Sequence, residues 1–191
     1  MSRGMVLRAA LLALLLALVL RPGWFEPLFA PAAPTGGPVI YERASLLSLS
    51  LSHLGLVALA SGAATLVAVT LAVLVTRPAG AAFRPLSRTI TNIGQTFPPV
   101  AVLALAVPAL GFGAGPTLVA LFLYGLLPIF ENAVTGLSSL PPSAMEAARG
   151  IGLNRRQRLF QVELPLALPV ILTGIRLSVV IALGTATIGS T

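Results

Sequence analysis

TITNIGQTFPPVAVLALAVPALGFGAGPTLVALFLYGLLPIF, residues 89–130, decides the fold class because it contains no charged side chain. Residues 46–76 form a second uncharged stretch. A helix that crosses a bilayer needs about 20 predominantly apolar residues. Both stretches are long enough to cross, and the first is too long for a single crossing. We therefore predict an all-α, polytopic membrane protein.

The composition agrees with this class. Of the 191 residues, 57% are hydrophobic and 9% are charged, whereas soluble domains carry about 25% charged residues. All twelve basic residues are arginines, and the net charge is +7. No stretch combines a basic patch with aromatic residues for base stacking, so we do not expect nucleic-acid binding. The arginines are better explained by topology.

Five transmembrane segments are predicted. They cover about 5–20, 46–75, 90–110, 117–136 and 166–191. We expect the second to begin with an interfacial turn around Leu46–His53, because it is longer than one crossing requires. Gly and Pro residues at 111–116 separate the third and fourth segments as a tight turn.

The chain divides at residue 45. Residues 1–45 are predicted to be an N-terminal membrane anchor and an external loop, and residues 46–191 the transmembrane domain. A retained anchor is favoured over a cleaved signal peptide for residues 1–30, although both have a basic start and a short apolar core. Residues 21–45 are rich in Pro and Gly and contain the single Trp, which is typical of a loop outside the membrane.

The arginines orient the chain. Loops 77–88 and 138–165 hold seven of them, and the loops on the opposite side, 21–45 and 111–116, hold two. Cytoplasmic loops of membrane proteins are enriched in Lys and Arg. The predicted topology therefore places the N-terminus inside.

Several kinds of catalytic and binding site are excluded by inventory. The chain has no Lys, so it has no phosphate-binding Walker A loop. It has no Asp or Cys and a single His, which excludes Ser-His-Asp triads and sites built from Cys or several His. His53 and Glu131 are interpreted as boundary residues of transmembrane segments, with a proton relay at His53 and a pathway-lining role for Glu131 as the alternatives. We predict that the protein is not an enzyme, and that another subunit supplies the energy for any work it does.

Residues 143–165, SAMEAARGIGLNRRQRLFQVELP, carry the most specific pattern. Ser143 followed by Glu146 predicts a capping box at the start of a helix. Gly150 and Gly152 end that helix, and Asn154 begins a second short helix that is predicted to stop at Leu164-Pro165. The predicted helix-turn-helix displays the small side chains of Ala147 and Ala148 to a docking partner. The alternative is a basic loop held on anionic lipid headgroups.

This loop resembles the EAA motif of binding-protein-dependent ABC permeases. The motif reads Glu-Ala-Ala, three residues, Gly, nine residues, an aliphatic residue, one residue and Leu-Pro. All spacings are kept, and Val162 stands where the motif usually has Ile. The resemblance implies an ATPase-coupling loop on the cytoplasmic side, formed by Glu146, Ala147, Ala148, Arg149, Gly152, Val162, Leu164 and Pro165.

The stretches QTFPPVAVLALAVPALGFG, LVALFLYGLLPIFENAVTGL, LPLALPVILTGIR and GTATIG resemble the osmoprotectant branch of this family. That branch includes permeases for glycine betaine, choline and related quaternary ammonium compounds. Glu131 departs from it, since a basic or neutral residue is expected before Asn132.

The resemblance implies a multi-pass importer subunit of a bacterial cytoplasmic (inner) membrane that works by alternating access. It binds no cofactor itself, because ATP is bound by partner ATPase subunits. It also implies a second permease copy, identical or paralogous, an extracytoplasmic substrate-binding protein and surrounding lipid. Permeases for another small solute such as an amino acid, an ion-coupled secondary transporter and an intramembrane enzyme remain as alternatives. The pathway residues and the identity of the solute are not predicted.

Arg176 bears on the last segment. A mid-membrane Arg costs about 2.5–3.5 kcal/mol on insertion scales. We therefore expect residues 165–175 to lie at the cytoplasmic interface, with the crossing helix starting near Leu177. The 15 residues from there to Thr191 are fewer than a crossing helix needs, which predicts a C-terminally incomplete permease.

Overall fold

The computed structural model describes residues 3–32, 39–40 and 43–189. Within these ranges all regular structure is helical. The chain forms two compact units, Met1–Ser52 and His53–Thr191. Each unit is described separately below.

The N-terminal unit contains α1 (Arg3–Leu20), followed by a 3₁₀ turn (Pro22–Phe25), α2 (Glu26–Phe29) and a second 3₁₀ turn (Ala30–Ala32). Part of the predicted loop 21–45 is therefore helical, because prolines occupy the first turns of these short elements, where their missing N–H costs nothing. The chain turns by 108° between α1 and the segment Pro22–Phe29. An apolar cleft of about 580 Å³ lies between them. Residues 33–38 and 41–42 of the predicted loop lie outside the described residues.

Helix α3 (Leu46–Val75) is a single 30-residue helix. The expected interfacial turn at Leu46–His53 is wrong. The segment contains no Gly or Pro before Gly55, and the Ser48 amide donates to Ser45 Oγ at 3.1 Å, so the helix starts directly at Leu46. The buried face of α3 is a row of small residues at four-residue spacing: Ala60, Ala64, Ala68 and Ala72.

The predicted single segment 90–110 is two helices. Helix α4 (Arg84–Thr96) and helix α5 (Pro99–Leu110) are separated by a break, with a bend of 93°. Phe97 is extended because the ring of the following proline disfavours helical geometry at the residue before it. Pro98 is also extended, and it has no N–H to continue the hydrogen bonds of the helix. The Tyr124 hydroxyl donates to the freed Phe97 carbonyl.

Helix α6 (Ala114–Ser138) lies at the centre of the C-terminal unit and packs against α4, α5 and α9. In the turn before α6, Gly111 and Gly113 have positive φ, a conformation that only glycine adopts readily. This confirms the predicted turn. Gly174 of α9 approaches α6 so closely that a Cβ there would lie 2.7 Å from the Pro128 carbonyl oxygen. The core cluster spans α3, α6 and α9.

Within residues 3–32, 39–40 and 43–189, the helices offer three to five membrane crossings. By length and composition, Leu46–Val75, Ala114–Ser138 and Arg155–Thr187 each suffice to cross, and the two bent pairs add up to two more. About five crossings were predicted. Helix α9 (Leu164–Gly189) is continuous, and no helix boundary lies near Leu177, where the last crossing was expected to start. Ala167 and Ile171 are buried in the core, so the face of residues 165–175 that they mark belongs to the bundle.

Candidate coupling site

The first helix of the predicted loop is α7 (Pro142–Gly150). The predicted capping box at Ser143 is wrong, because the N-cap residue is Pro141, two residues earlier, and no side chain caps the helix. Pro141 is extended, and Pro142 at the first helical position has no N–H that would need a cap. The Pro141 carbonyl accepts the first turn's bond from the Ala144 amide at 3.1 Å.

Helix α7 ends as predicted at its glycines. Gly152 has φ +83°, the left-handed conformation that residues with a Cβ avoid. The Gly152 amide donates to the Arg149 carbonyl, and the Leu153 amide donates to the Ala148 carbonyl. This is the Schellman arrangement, and it gives the motif glycine a physical role: it turns the chain sharply while satisfying the last carbonyls of α7.

The second helix, α8 (Arg155–Arg158), begins as predicted at Asn154. The Asn154 side chain accepts from the backbone of Arg156 and Gln157, and the Gln157 side chain accepts from the Asn154 amide at 2.9 Å. This reciprocal capping box fixes the entry angle of α8. The helix-turn-helix is thus held by backbone bonds at the end of α7 and by side-chain caps at the start of α8.

The predicted stop at Leu164-Pro165 is wrong. The chain continues from α8 through a π-helical segment, Leu159–Glu163, directly into α9. The wider turn ends where the Leu164 amide bonds to the Leu159 carbonyl, immediately before Pro165, which has no N–H to offer. The loop and the last helix are therefore one continuous helical arm.

The structure divides the predicted site residues between two faces. Glu146, Ala147 and Arg149 are exposed on α7, whereas Ala148 is only 3% exposed and packs against its own chain. The prediction that Ala148 is displayed for docking is therefore wrong. Neighbouring i and i+1 residues on a helix point about 100° apart, so the pair does not share one face.

The C-terminal motif residues belong to the helical arm. Leu164 packs against the core cluster, Val162 is half-buried and Pro165 is exposed. Ile151 is 77% exposed and Phe160 61% exposed, so the loop also presents apolar surface outward.

Sequence reasoning missed an ion cluster behind the loop. The Glu163 carboxylate is buried, with Arg77 Nη2 at 2.5 Å and Arg158 Nε at 3.8 Å. A signal was available, because Glu163 lies four and eight residues before Ala167 and Ile171, on the face of α9 that must be buried. A carboxylate on such a face requires a cationic partner.

A second ion pair, between Arg88 of α4 and Glu131 of α6, lies at 2.6 Å. Glu131 was predicted to be a boundary residue, and the structure shows it paired with a cation. His53 Nε2 lies 3.1 Å from the Leu183 carbonyl oxygen. Within the described ranges, no three metal-ligating side chains come together.

Helix α4 has a buried face and an exposed polar face. Ser87, Thr91 and Gly94 are buried, and Gly94 contacts the backbone of Leu123 on α6. The polar residues Asn92 and Thr96 share an exposed face. Helices α4 and α5 together are long and apolar enough to cross a membrane. Within the described chain, no other element packs over this polar face of α4.

The comparisons with known proteins agree with this geometry. The model of the family described as binding-protein-dependent transport system inner membrane component matches residues 64–191. The Osmoprotectant import permease protein OsmY of Salmonella typhimurium is 48% identical over 76% of this chain and 61% of its own length. The Choline transport system permease protein OpuBB of Bacillus subtilis is 40% identical over 81% of this chain and 67% of its own length. The chain thus spans about two thirds of the length of these curated relatives, or somewhat less.

A solved structure of the MetNI methionine ABC transporter in an inward-facing conformation has the same fold. Its TM-score is 0.62 at 21% identity, covering 78% of this chain and 76% of that chain. With a helical fold of this type and a family match over residues 64–191, the chain belongs to the family of binding-protein-dependent transport system inner membrane components.

Proposed function

We propose that the chain is the membrane-spanning subunit of an ATP-driven importer for a small osmoprotectant, with glycine betaine or choline as the expected class of solute. The observation that carries this proposal is the helix-turn-helix at 142–158, whose outer face is exposed while both inner ends are capped. A stiff exposed element on a membrane protein is suited to receive a push from a soluble partner.

The docking element for the ATPase is the outer face of α7. It presents Glu146, Ala147 and Arg149, with Ile151 immediately after the helix. Ala147 lets a partner approach the helix backbone closely, and Ile151 adds apolar contact at its end. ATP is bound and hydrolysed on that partner, since this chain has no Lys for a Walker A loop.

The orientation follows from charge. With the N-terminus inside, both arginine-rich loops, 77–88 and 138–165, face the cytoplasm, as the positive-inside rule requires. A second permease copy completes the pathway, because the three to five crossings found in the described part of the chain enclose little space alone. An extracytoplasmic binding protein delivers the solute to the opposite side, and arginines at the loop edges contact anionic lipid.

The polar face of α4 lines the pathway in this proposal. Asn92 and Thr96 are exposed, and polar groups at membrane depth normally face protein or water. The break at Phe97-Pro98 ends α4 beside this face, and irregular backbone within a membrane is tolerated where it is buried in protein or lines a cavity.

The class of solute is supported by the printed names of the relatives. OsmY is an osmoprotectant import permease, and OpuCB of Bacillus subtilis, 38% identical, is a glycine betaine/carnitine/choline permease. Uptake of another small solute, such as an amino acid, in place of these compounds would be a different outcome of the same experiment.

Reconstitution of the intact permease with its ATPase and binding protein in liposomes tests the proposal. We expect uptake of radiolabelled glycine betaine or choline that requires internal ATP and stops when the ATPase is catalytically inactive. Ala147→Arg, on the exposed face, should lose ATPase association while the permease still inserts. Uptake driven by an ion gradient without the ATPase would replace this proposal with a secondary transporter.

A further inference from the structure

Glu163 lies where three parts of the chain meet. It is 3% exposed, at the end of the π-helical segment that leads into α9. Arg77 follows α3, and Arg158 is the last residue of α8. A single carboxylate therefore connects the end of α3, the coupling loop and the start of α9.

The two arginines hold this carboxylate unequally. Arg77 donates to Glu163 Oε2 at 2.5 Å, whereas Arg158 Nε is 3.8 Å from Oε1, beyond hydrogen-bond distance. Both Oε1 and Arg158 Nε are buried without a hydrogen-bond partner. A buried carboxylate oxygen without a partner is unfavourable, so an approach of about 1 Å by Arg158 would bring the pair into hydrogen-bond range.

Open space also adjoins Glu163 and helix α7. A polar cavity of about 220 Å³ is lined by Arg77, Glu163, Met145 of α7, and residues at the ends of α3 and α6. Helix α7 therefore does not rest on a fully packed surface. A push on the coupling loop therefore meets open volume beside Glu163, whose Oε1 lacks a hydrogen-bond partner.

We propose that Glu163 is the positioning residue that transmits movement of the coupling loop to α3. Arg77 holds Oε2 throughout, and Arg158 closes onto Oε1 when the loop is pressed toward the bundle. The closed triad makes the loop and α3 move as one body. This inference rests on the proposed function, since the push comes from the ATPase.

The obvious alternative is a purely structural ion pair. The two roles separate at Arg158, whose long contact contributes little to the structure as it stands. Under the proposal, Arg158→Gln leaves folding and ATPase association intact but breaks transmission. Under a structural role, the same variant leaves folding, ATPase association and transmission all unchanged.

The experiment measures solute transported per ATP hydrolysed in the reconstituted full complex, with glycine betaine as the probe. Arg158→Gln should lower this ratio about tenfold, a size typical of coupling between sites. The matched control is Arg156→Gln, which removes an exposed charge from the same helix and should keep the ratio.

A charge exchange gives a second, independent readout. Arg77→Glu with Glu163→Arg rebuilds the pair with α3 but faces Arg158 with a like charge. We expect this double variant to recover thermal stability relative to Glu163→Gln without recovering the transport ratio.

Two results would overturn the inference: an Arg158→Gln ratio equal to that of the Arg156→Gln control, or full recovery of the ratio in the exchanged pair. Either result in a complex that transports glycine betaine on ATP leaves the proposed function intact. Absence of ATP-dependent uptake by the unaltered complex, with choline as well, defeats the proposed function and the inference with it.

Discussion

Two ion pairs connect distant parts of the C-terminal unit, and they differ in burial. Glu163 is almost fully buried behind the coupling loop, and its partner Arg77 is 34% exposed. At the α4–α6 contact, Arg88 is 69% exposed and Glu131 35% exposed. Arg77 makes a hydrogen bond to its partner, whereas the Arg88 contact lacks hydrogen-bond geometry at Glu131 Oε1.

This difference decides what each pair contributes. Removing one partner of a buried pair leaves an uncompensated charge away from water, at a cost of about 3–5 kcal/mol. An exposed pair contributes about 0.2–1 kcal/mol, because water and salt screen it. The region behind the coupling loop therefore depends on its ion cluster, and the α4–α6 contact depends on close backbone packing at Gly94.

The largest expected effect is at the buried cluster. Arg77→Met should lower the free energy of unfolding by about 3 kcal/mol, the lower end of the range for breaking a buried pair, because Arg77 is itself partly exposed. Denaturant titration in detergent micelles measures this change. Arg84→Met, in the same connection but exposed, is the matched control and should stay within about 0.5 kcal/mol of the parent. Equal losses in the two variants would remove the distinction between the regions.

The next effect tests packing at the α4–α6 contact. In Gly94→Ala the added Cβ meets the backbone of Leu123, and overpacking costs about 1–3 kcal/mol. Gly62→Ala, on α3 with nothing within 4 Å, is the control, and it should be neutral or stabilising because Ala favours a helix. The same titration reports both, and a neutral Gly94→Ala would contradict the close approach.

A smaller effect is expected at the cap of α8. Asn154→Ala removes the side chain that accepts from Arg156 and Gln157, and it should cost about 1 kcal/mol. Asn92 lies on the exposed face of α4, and its side-chain amide makes no hydrogen bond within the described chain. Asn92→Ala should therefore leave stability nearly unchanged. Melting temperatures in detergent compare the two. A larger loss at Asn92 than at Asn154 would show that the face of α4 is held by contacts within the chain.

The smallest effect is at the exposed pair. Arg88→Met should cost about 0.2–1 kcal/mol. The difference should shrink in about 1 M salt, where the Debye length falls to roughly 3 Å. A double-mutant cycle with Glu131→Gln isolates the pair energy at low and high salt. A coupling energy that is large and independent of salt would place this pair in the same class as Arg77–Glu163.

Part of the candidate coupling site could be predicted from sequence because its bonds are local. Gly152 ends α7 and Asn154 begins α8 as expected, since each cap involves residues two to five positions apart. Two of the wrong predictions also have a local cause, which is a proline in each case. Pro98 breaks the segment predicted as 90–110, and Pro142 starts α7 in place of a Ser143 cap.

The sequence by itself determined the membrane class, the approximate number of crossings and the helix-turn-helix, because charge-free length and capping residues act within one segment. Only the tertiary structure decided that Ala148 faces inward and that Glu163 is buried against Arg77. Arg77 and Glu163 are 86 positions apart in the chain. Their pairing depends on how α3, α6 and α9 pack through their small residues, and no single segment specifies that packing.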